Sequence, residues 1–365
     1  MRIVYLLTSL GMGGAERLVI SLAEAMEARG HSVALLVLRP RLAEEWPTHL
    51  PTFHLEMRKS PFSVLASMAR AHSFLCSFQP DLLHSHSFHA NLMARLLTLL
   101  SPSHKLVCTV HNVYEGGWLR MMAYRLTDGL SQSTTMVSSA AAHRFLQWKA
   151  VSQERCRVIT NGIGTREFLP QEKRRVCLRK QMGLKDEFLW LTAGRIVPAK
   201  DYPNLLNAVA QLGKVSSGMQ LWIAGEGEDR EVESLRSFTA KLGLTDCVRW
   251  LGLRRDLPAL LDAADGFVLA SAWEGMPLAL GEAMAMAKSV VATDVGGVRE
   301  LVGEAGRIVP AKDPRALAQA MSSTMQSPWN DRHAQGLAAQ ERIAKNFSME
   351  AKLEEWEALY KTFDA

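Results

Sequence analysis

Short, largely apolar runs alternate along this chain with longer stretches whose apolar positions recur every three or four residues. Arg2 to Leu7, Lys105 to Val110, Phe188 to Ala193, Gln220 to Ala224, Gly266 to Ala270 and Ser289 to Thr293 belong to the first kind. Each is bounded by glycine or polar residues, the pattern of strands buried on both faces of a parallel sheet. Ser32 to Leu38, Thr134 to Ser138, Arg157 to Thr160 and Val248 to Leu251 read as further strands. Helical spacing follows them: Leu18, Leu22 and Met26; Trp118 to Leu126; Ser139 to Trp148; Pro314 to Met325. A final helix, Met349 to Phe363, gathers Leu353, Trp356, Leu359, Tyr360 and Phe363 on one side. Strand and helix in alternation predict an α/β fold. The two halves repeat this architecture without repeating a sequence, and the charged Gln171 to Lys180 stretch reads as the connection between them.

The strands tend to end in glycine. Arg2 to Leu7 runs into Gly11-Met12-Gly13-Gly14 before a helix, and Gln220 to Ala224 runs into Gly225-Glu226-Gly227. Glycines between a strand and a helix let backbone approach a phosphate at the positive end of the helix, although a tight turn without a ligand explains the same residues. The first turn lacks the third glycine of a dinucleotide fingerprint. The strand after it ends at Arg39 and Arg41, with no acid to hold a ribose. Both departures run against a dehydrogenase.

Composition changes this picture little. With 365 residues, 48% hydrophobic and 22% charged, the chain has the material for two cores. Five scattered cysteines show no metal-ligand spacing and suit a reducing cytosol. The amino terminus reads as a first strand, not a signal peptide, and no run approaches a membrane span. Charge is more informative. Residues 1–170 hold 17 Lys and Arg against 11 Asp and Glu, whereas the remainder holds 25 against 26. A basic half beside a neutral one points to an anionic surface or substrate. No nucleic-acid motif accompanies it. Residues 58–78 and Trp118 to Leu126 mix basic and apolar residues at helical spacing, which fits either a helix on a membrane surface or one packed on the sheet.

Candidate chemistry concentrates at the ends of strands. Between the strands Gly266 to Ala270 and Ser289 to Thr293, Glu274 and Gly275 turn the chain, Pro277 opens a helix, and Glu282 lies on it. At a rise of ~1.5 Å per residue the two acids sit roughly 8–12 Å apart, suited to two ends of one nucleotide-sized ligand. Carboxyl ends of parallel strands are where such sheets bind ligands. Arg195 and Lys200, in a glycine-started loop, make a diphosphate clamp. In the first half, His84-Ser85-His86 is expected in a polar turn after a short strand, and His111-Asn112 follows Val110. The three histidines His84, His86 and His89 line a site more readily than they hold zinc, because no acid or cysteine of suitable spacing joins them.

With these residues in view, the chain resembles glycosyltransferase family 4, the retaining group with the GT-B fold. Gly13-Gly14-Ala15-Glu16-Arg17, Asp81 to Asn91, Thr109-Val110-His111-Asn112, Asn161-Gly162-Ile163, Gly194-Arg195 to Lys200, Ala224-Gly225-Glu226-Gly227 and Glu274-x7-Glu282 carry the resemblance over nearly the whole length. The bacterial enzymes that build lipopolysaccharide, capsule and similar surface glycans are nearest. The resemblance implies two Rossmann-like domains facing each other across a cleft: residues 1–168 on the acceptor side, 169–345 binding the nucleotide sugar, and 346–365 as a helix returning to the first domain. It implies that Arg195 and Lys200 bind the diphosphate, Glu282 the ribose and Glu274 the donor sugar. His111 would stand beside the sugar and the acceptor hydroxyl, with Gly13, Gly14, Gly225, Gly227, Gly275, Met276, Pro277 and Leu278 lining the donor site. No metal is expected, since fixed cations take its place and no Asp-x-Asp motif is present. The implied partners are a nucleotide-sugar donor, here a UDP-sugar, and a glycan or lipid-linked acceptor. The implied location is the cytoplasm, with peripheral contact to an anionic inner membrane surface. The loop has Pro198-Ala199-Lys200-Asp201 where Gln-Lys-Gly is commoner, but the lysine is kept. A sugar-nucleotide epimerase and a silent scaffold of the same fold are the competing expectations.

Overall fold

All strand pairings among the described residues are parallel. The computed structural model describes residues 1–100, 104–213 and 218–363. They divide into two units, Met1–Gly162 with Met349–Ala365, and Ile163–Ser348.

The first unit runs β1 (Arg2–Leu7), α1 (Gly14–Ala28), β2 (Ser32–Val37), β3 (Thr52–His54), α2 (Pro61–Phe78), β4 (Leu82–His86), α3 (Phe88–Leu97), β5 (Lys105–Val110), α4 (Trp118–Thr127), β6 (Ser133–Met136), α5 (Ser139–Gln147) and β7 (Cys156–Val158). Its sheet has the order β3-β2-β1-β4-β5-β6-β7. Strand order therefore reverses between β1 and β4, the switch point of a doubly wound sheet. Helix starts follow local chemistry: Ser60 caps α2 by accepting from the Ser63 amide, with Pro61 behind it, and Ser138 caps α5 through the Ala141 amide. One apolar core joins Ile3, Tyr5, Val19, Met26 and Leu35 to Leu353, Trp356 and Tyr360 near the carboxyl end of the chain. Ala71, Leu75, Met93 and Leu97 fill the other face against Val4, Leu83 and Leu106.

The second unit runs α6 (Glu172–Gln181), β8 (Phe188–Ala193), α7 (Tyr202–Gly213), β9 (Met219–Ala224), α8 (Asp229–Lys241), β10 (Val248–Gly252), α9 (Leu257–Ala263), β11 (Gly266–Leu269), α10 (Leu278–Ala285), β12 (Ser289–Thr293), α11 (Val298–Val302), β13 (Arg307–Val309), α12 (Pro314–Gln326) and α13 (Trp329–Asn346). Its order, β10-β9-β8-β11-β12-β13, reverses between β8 and β11. The last helix, α14 (Met349–Lys361), belongs to the first unit. Both units are Rossmann-like.

Two expectations are corrected. The Gln171 to Lys180 stretch is not a connection; it is α6, a helix of the second unit packed on α9. Its arginines hold it there. Arg174 pairs with Asp262, Arg175 with Asp265 at 2.6 Å, and Arg179 with Asp265 at 3.1 Å, so charge does what apolar residues do in other helices. His84-Ser85-His86 does not lie in a turn either. It forms the end of β4, buried on both faces, where each polar group needs a protein partner.

The basic and apolar stretches both prove to be helices. On α4 only Met121 and Tyr124 are buried, leaving Trp118, Leu119 and Leu126 more than half exposed. No helix among the described residues is long and apolar enough to cross a membrane.

Candidate active site

In the second unit the loops after β8 and β11 flank the switch point, and each delivers one charged group. Lys200 closes a single 3-10 turn, Pro198–Lys200. Glu274 stands in the loop before α10 and is buried. Lys200 Nζ donates to Glu274 Oε1 at 2.6 Å, and the Ser271 hydroxyl donates to the same oxygen at 2.6 Å. The backbone ties the two loops together, the Ala272 amide donating to the Ala199 carbonyl at 2.8 Å. Lysine and glutamate thus sit in one place, fixed before any ligand arrives.

The surrounding glycines are there for close approach. A Cβ on Gly225 would lie 1.9 Å from the Gly194 carbonyl oxygen, and one on Gly296 would lie 1.9 Å from that of Glu274. Gly296 also has φ +54, the left-handed region that favours glycine. Gly227 bridges Ile196, and the Gly297 amide donates to Gly275 at 2.7 Å. Four glycine turns therefore interlock at one edge of the sheet. Asp201 holds φ +46 where a glycine is commoner, and its carboxylate accepts from the Asn204 amide at 3.3 Å to cap α7. Aspartate tolerates that conformation better than most residues.

Pro277 is the N-cap of α10, so Gly275, Met276, Pro277 and Leu278 lead into a helix amino terminus. Glu282 lies within that helix and is buried. Arg195, just past β8, is exposed and makes no ion pair among the described residues. Two positioning residues escaped the sequence. Ser271 fixes Glu274, and Thr293 in turn donates to the Ser271 carbonyl at 2.7 Å. Tyr202 donates to the Gly194 carbonyl at 2.9 Å, with its own hydroxyl kept protonated first by burial and then by the nearby Glu274.

In the first unit the candidates also gather at the carboxyl edge of the sheet. Gly13 is the N-cap of α1 and Gly14 its first residue; Trp46 Nε1 donates to the Gly13 carbonyl at 3.2 Å. His86 Nδ1 lies 3.0 Å from His111 Nε2. Behind them His84 is spoken for on both nitrogens, Nδ1 by the Tyr360 hydroxyl and Nε2 by the Thr109 hydroxyl, each at 2.7 Å. Burial pushes the pKa values of all three rings down: His84 and His86 lie well below the usual imidazole range and His111 near 4. They are neutral at pH 7. Glu115 goes the other way, raised by burial to about 7, while the Tyr124 hydroxyl donates to it at 2.8 Å. His89 stands apart from this cluster, exposed and edge-on to Phe88. Among the described residues no group of three or more His, Cys, Asp or Glu is placed to hold a metal ion.

Two doubly wound units, one presenting a lysine–glutamate pair at its switch point, define an α/β protein whose candidate site lies at the carboxyl ends of parallel strands. Comparison with known proteins narrows this class. Residues 12–167 match the model described as Glycosyltransferase Family 4, and residues 187–327 match Glycosyl transferases group 1. The chain belongs to this glycosyltransferase family, and its fold is GT-B. It is 26% identical over 319 residues to the lipopolysaccharide core biosynthesis glycosyltransferase LpsE of Rhizobium meliloti, spanning 85% of this chain and 84% of that protein. It is also 26% identical over 255 residues to the UDP-Gal:alpha-D-GlcNAc-diphosphoundecaprenol alpha-1,3-galactosyltransferase of Escherichia coli, spanning 65% and 64%. The crystal structure of Anabaena Alr3699/HepE in complex with UDP superposes with a TM-score of 0.85 at 22% identity, covering 99% of this chain and 100% of that one. The protein is a glycosyltransferase whose relatives include bacterial lipopolysaccharide and surface-glycan enzymes.

Proposed function

We propose that this glycosyltransferase moves a sugar, with retention of anomeric configuration, from a UDP-sugar to a hydroxyl of a lipid-linked glycan in bacterial surface-polysaccharide synthesis. The observation that carries the proposal is the Lys200–Glu274 pair at the switch point, 2.6 Å long and braced by Ser271. When a nucleoside diphosphate leaves, negative charge grows on its oxygens, and cations already in place stabilise it without reorganisation. In this reading Lys200 and Arg195 receive that charge. The amino end of α10, with Gly275 to Leu278, and the turns at Gly225 and Gly227 approach the donor; Glu282 holds the ribose and Glu274 the sugar. Gly13, Gly14 and His111, in the first unit, take the phosphate, sugar and acceptor roles that the resemblance implies for them. Fixed cations fill the part a divalent metal plays elsewhere, so the reaction runs without one. Relatives that act on lipopolysaccharide and on a diphosphoundecaprenol-linked sugar support the choice of acceptor, and the UDP complex of a structural neighbour supports the choice of nucleotide.

The same reading places the protein in the cytoplasm at the inner membrane surface. Trp118, Leu119, Met122 and Leu126 are exposed on α4 beside Arg125, and Phe62 and Leu65 are exposed on α2 near Arg58 and Lys59. Apolar groups rimmed by cations suit an anionic lipid surface. Sedimentation with vesicles containing phosphatidylglycerol is expected to pull down the wild type and to fail for Trp118→Ser/Leu126→Ser; equal recovery of both would remove α4 from membrane contact.

The catalytic part is tested by thermal shift with a panel of nucleotide sugars, followed by turnover of Lys200→Ala. A UDP-sugar is expected to raise Tm through mass action, and Lys200→Ala to lower kcat by ~10²–10³-fold with the fold intact. A chain stabilised by no nucleotide sugar, or unimpaired without Lys200, overturns the proposal.

A further inference from the structure

We propose that His86 is a positioning residue that sets the ring tautomer of His111, leaving His111 with its proton on Nδ1. The proposal rests on the reading that His111 serves the reaction.

His86 ends β4 opposite Thr109 of β5, and His111 lies two residues beyond that register position. This brings His86 Nδ1 to 3.0 Å from His111 Nε2. The His86 ring has little freedom to leave. It stacks on Tyr5 with centroids 5.9 Å apart and lies 4.0 Å from the His84 ring, which is itself held at both nitrogens. Only 4% of the residue is exposed.

Two neutral imidazoles facing each other share one proton between the two nitrogens in contact. Whichever ring donates, the outer nitrogen of His111 takes the opposite state. If His86 donates, His111 accepts at Nε2 and presents Nδ1–H outward; if His111 donates, its Nδ1 is bare. The far side of His86 decides between them. His86 Nε2 has no hydrogen-bond partner, and neither has the Thr160 hydroxyl. Both line one small cavity, together with Asn161 and the buried Lys352. Orphaned buried polar atoms around one void are the setting for an ordered water. In this proposal a water there accepts from the Lys352 ammonium, which also donates to Glu355 at 2.6 Å, and gives a hydrogen to His86 Nε2. That makes Nε2 an acceptor, puts the His86 proton on Nδ1, and directs it at His111. The second nitrogen of an imidazole fixes the work of the first in this way wherever histidine acts in a site.

The test uses the full chain labelled with 15N at the histidine rings, with His111→Ala to assign its signals. Wild-type His111 is expected as the single Nδ1–H tautomer. In His86→Phe it should become a tautomer mixture, with kcat down ~10–100-fold, the usual cost of losing an orienting partner, and the donor KM unchanged. His86→Asn, whose amide N–H reaches the Nδ1 position, should restore both the tautomer and most of the turnover. Should His86→Phe fail to fold, His86→Gln replaces it, because its amide reaches the Nε2 position and not Nδ1. An Nε2–H tautomer in the wild type overturns the proposal, as does an unchanged tautomer and kcat in His86→Phe. Full turnover in His111→Ala would instead withdraw the role given to His111 above, and the tautomer measurement would still decide this one.

Discussion

Lys200 and Glu274 are 74 residues apart in the chain, yet their side chains meet at 2.6 Å in a largely buried setting. Neither gains much stability for the fold this way, since taking two charges from water offsets most of their attraction. What they gain is a fixed position. Glu274→Gln keeps the shape and the Ser271 hydrogen bond but leaves Lys200 without its counter-charge, so kcat is expected to fall ~10²-fold or more while Tm moves little; a collapse of Tm with kcat per folded molecule intact would make the pair structural. Glu115 offers a second test at this scale. Its folded pKa, about 7, exceeds the ordinary carboxyl value of 4.5. The folded state therefore keeps a proton that the unfolded state releases, and stability is lost as pH rises from 4.5 through 7. Glu115→Gln should raise Tm at pH 8, and the gain should vanish by pH 4; urea unfolding at the two pH values measures it.

At the scale of the element, the site depends on turns that allow no side chain. Gly225→Ala would drive a methyl into the Gly194 carbonyl, moving the loop that carries Lys200. Donor affinity and Tm should fall together, which isothermal titration and thermal melting would show. Such turns were readable beforehand because glycine after an apolar run has few other uses. The strands Arg2–Leu7, Lys105–Val110, Phe188–Ala193 and Ser289–Thr293 have the bounds their apolar pattern predicts, since both faces are covered and most of their positions are apolar. Where covering is by polar groups the pattern failed. β4 ends in a buried His-Ser-His whose partners, Tyr360, Thr109, Asn91 and His111, no spacing in the sequence reveals. Ser271 and Tyr202 stayed invisible for the same reason: each holds a group that only the folded chain brings near. The three-residue β3 and the charged α6 lacked an apolar signature altogether.

For the molecule as a whole, acid and the carboxyl-terminal helix are linked. His84, His86 and His111 are neutral when folded, with pKa values below the usual 6.5. The unfolded chain binds protons that these rings refuse, so the stability they contribute is lost as pH falls from 6.5 toward 4. Three histidines outnumber Glu115, which acts in the opposite sense across much of that window, so the first unit should weaken on acidification. Unfolding of the first unit followed by tryptophan fluorescence from pH 7 to pH 5 should show it, and His84→Gln should flatten the slope. The same cluster anchors α14, since the Tyr360 hydroxyl lies 2.7 Å from His84 Nδ1 and 3.3 Å from the Tyr5 hydroxyl. Tyr360→Phe leaves both without that partner, and a loss of ~1–3 kcal/mol in urea unfolding is expected.

The second unit begins and ends in one spot. Ile163 and Ser348 form a parallel bridge, and the Ile163 amide donates to the Phe347 carbonyl at 2.7 Å. A segment whose two ends already touch behaves as a cassette: it can be excised, closed by a short linker, or exchanged with the equivalent piece of a relative without stretching the chain on either side. If the second unit holds the donor as proposed, selection for a new donor sugar proceeds by swapping this piece whole, while the rest of the gene is left as it stands.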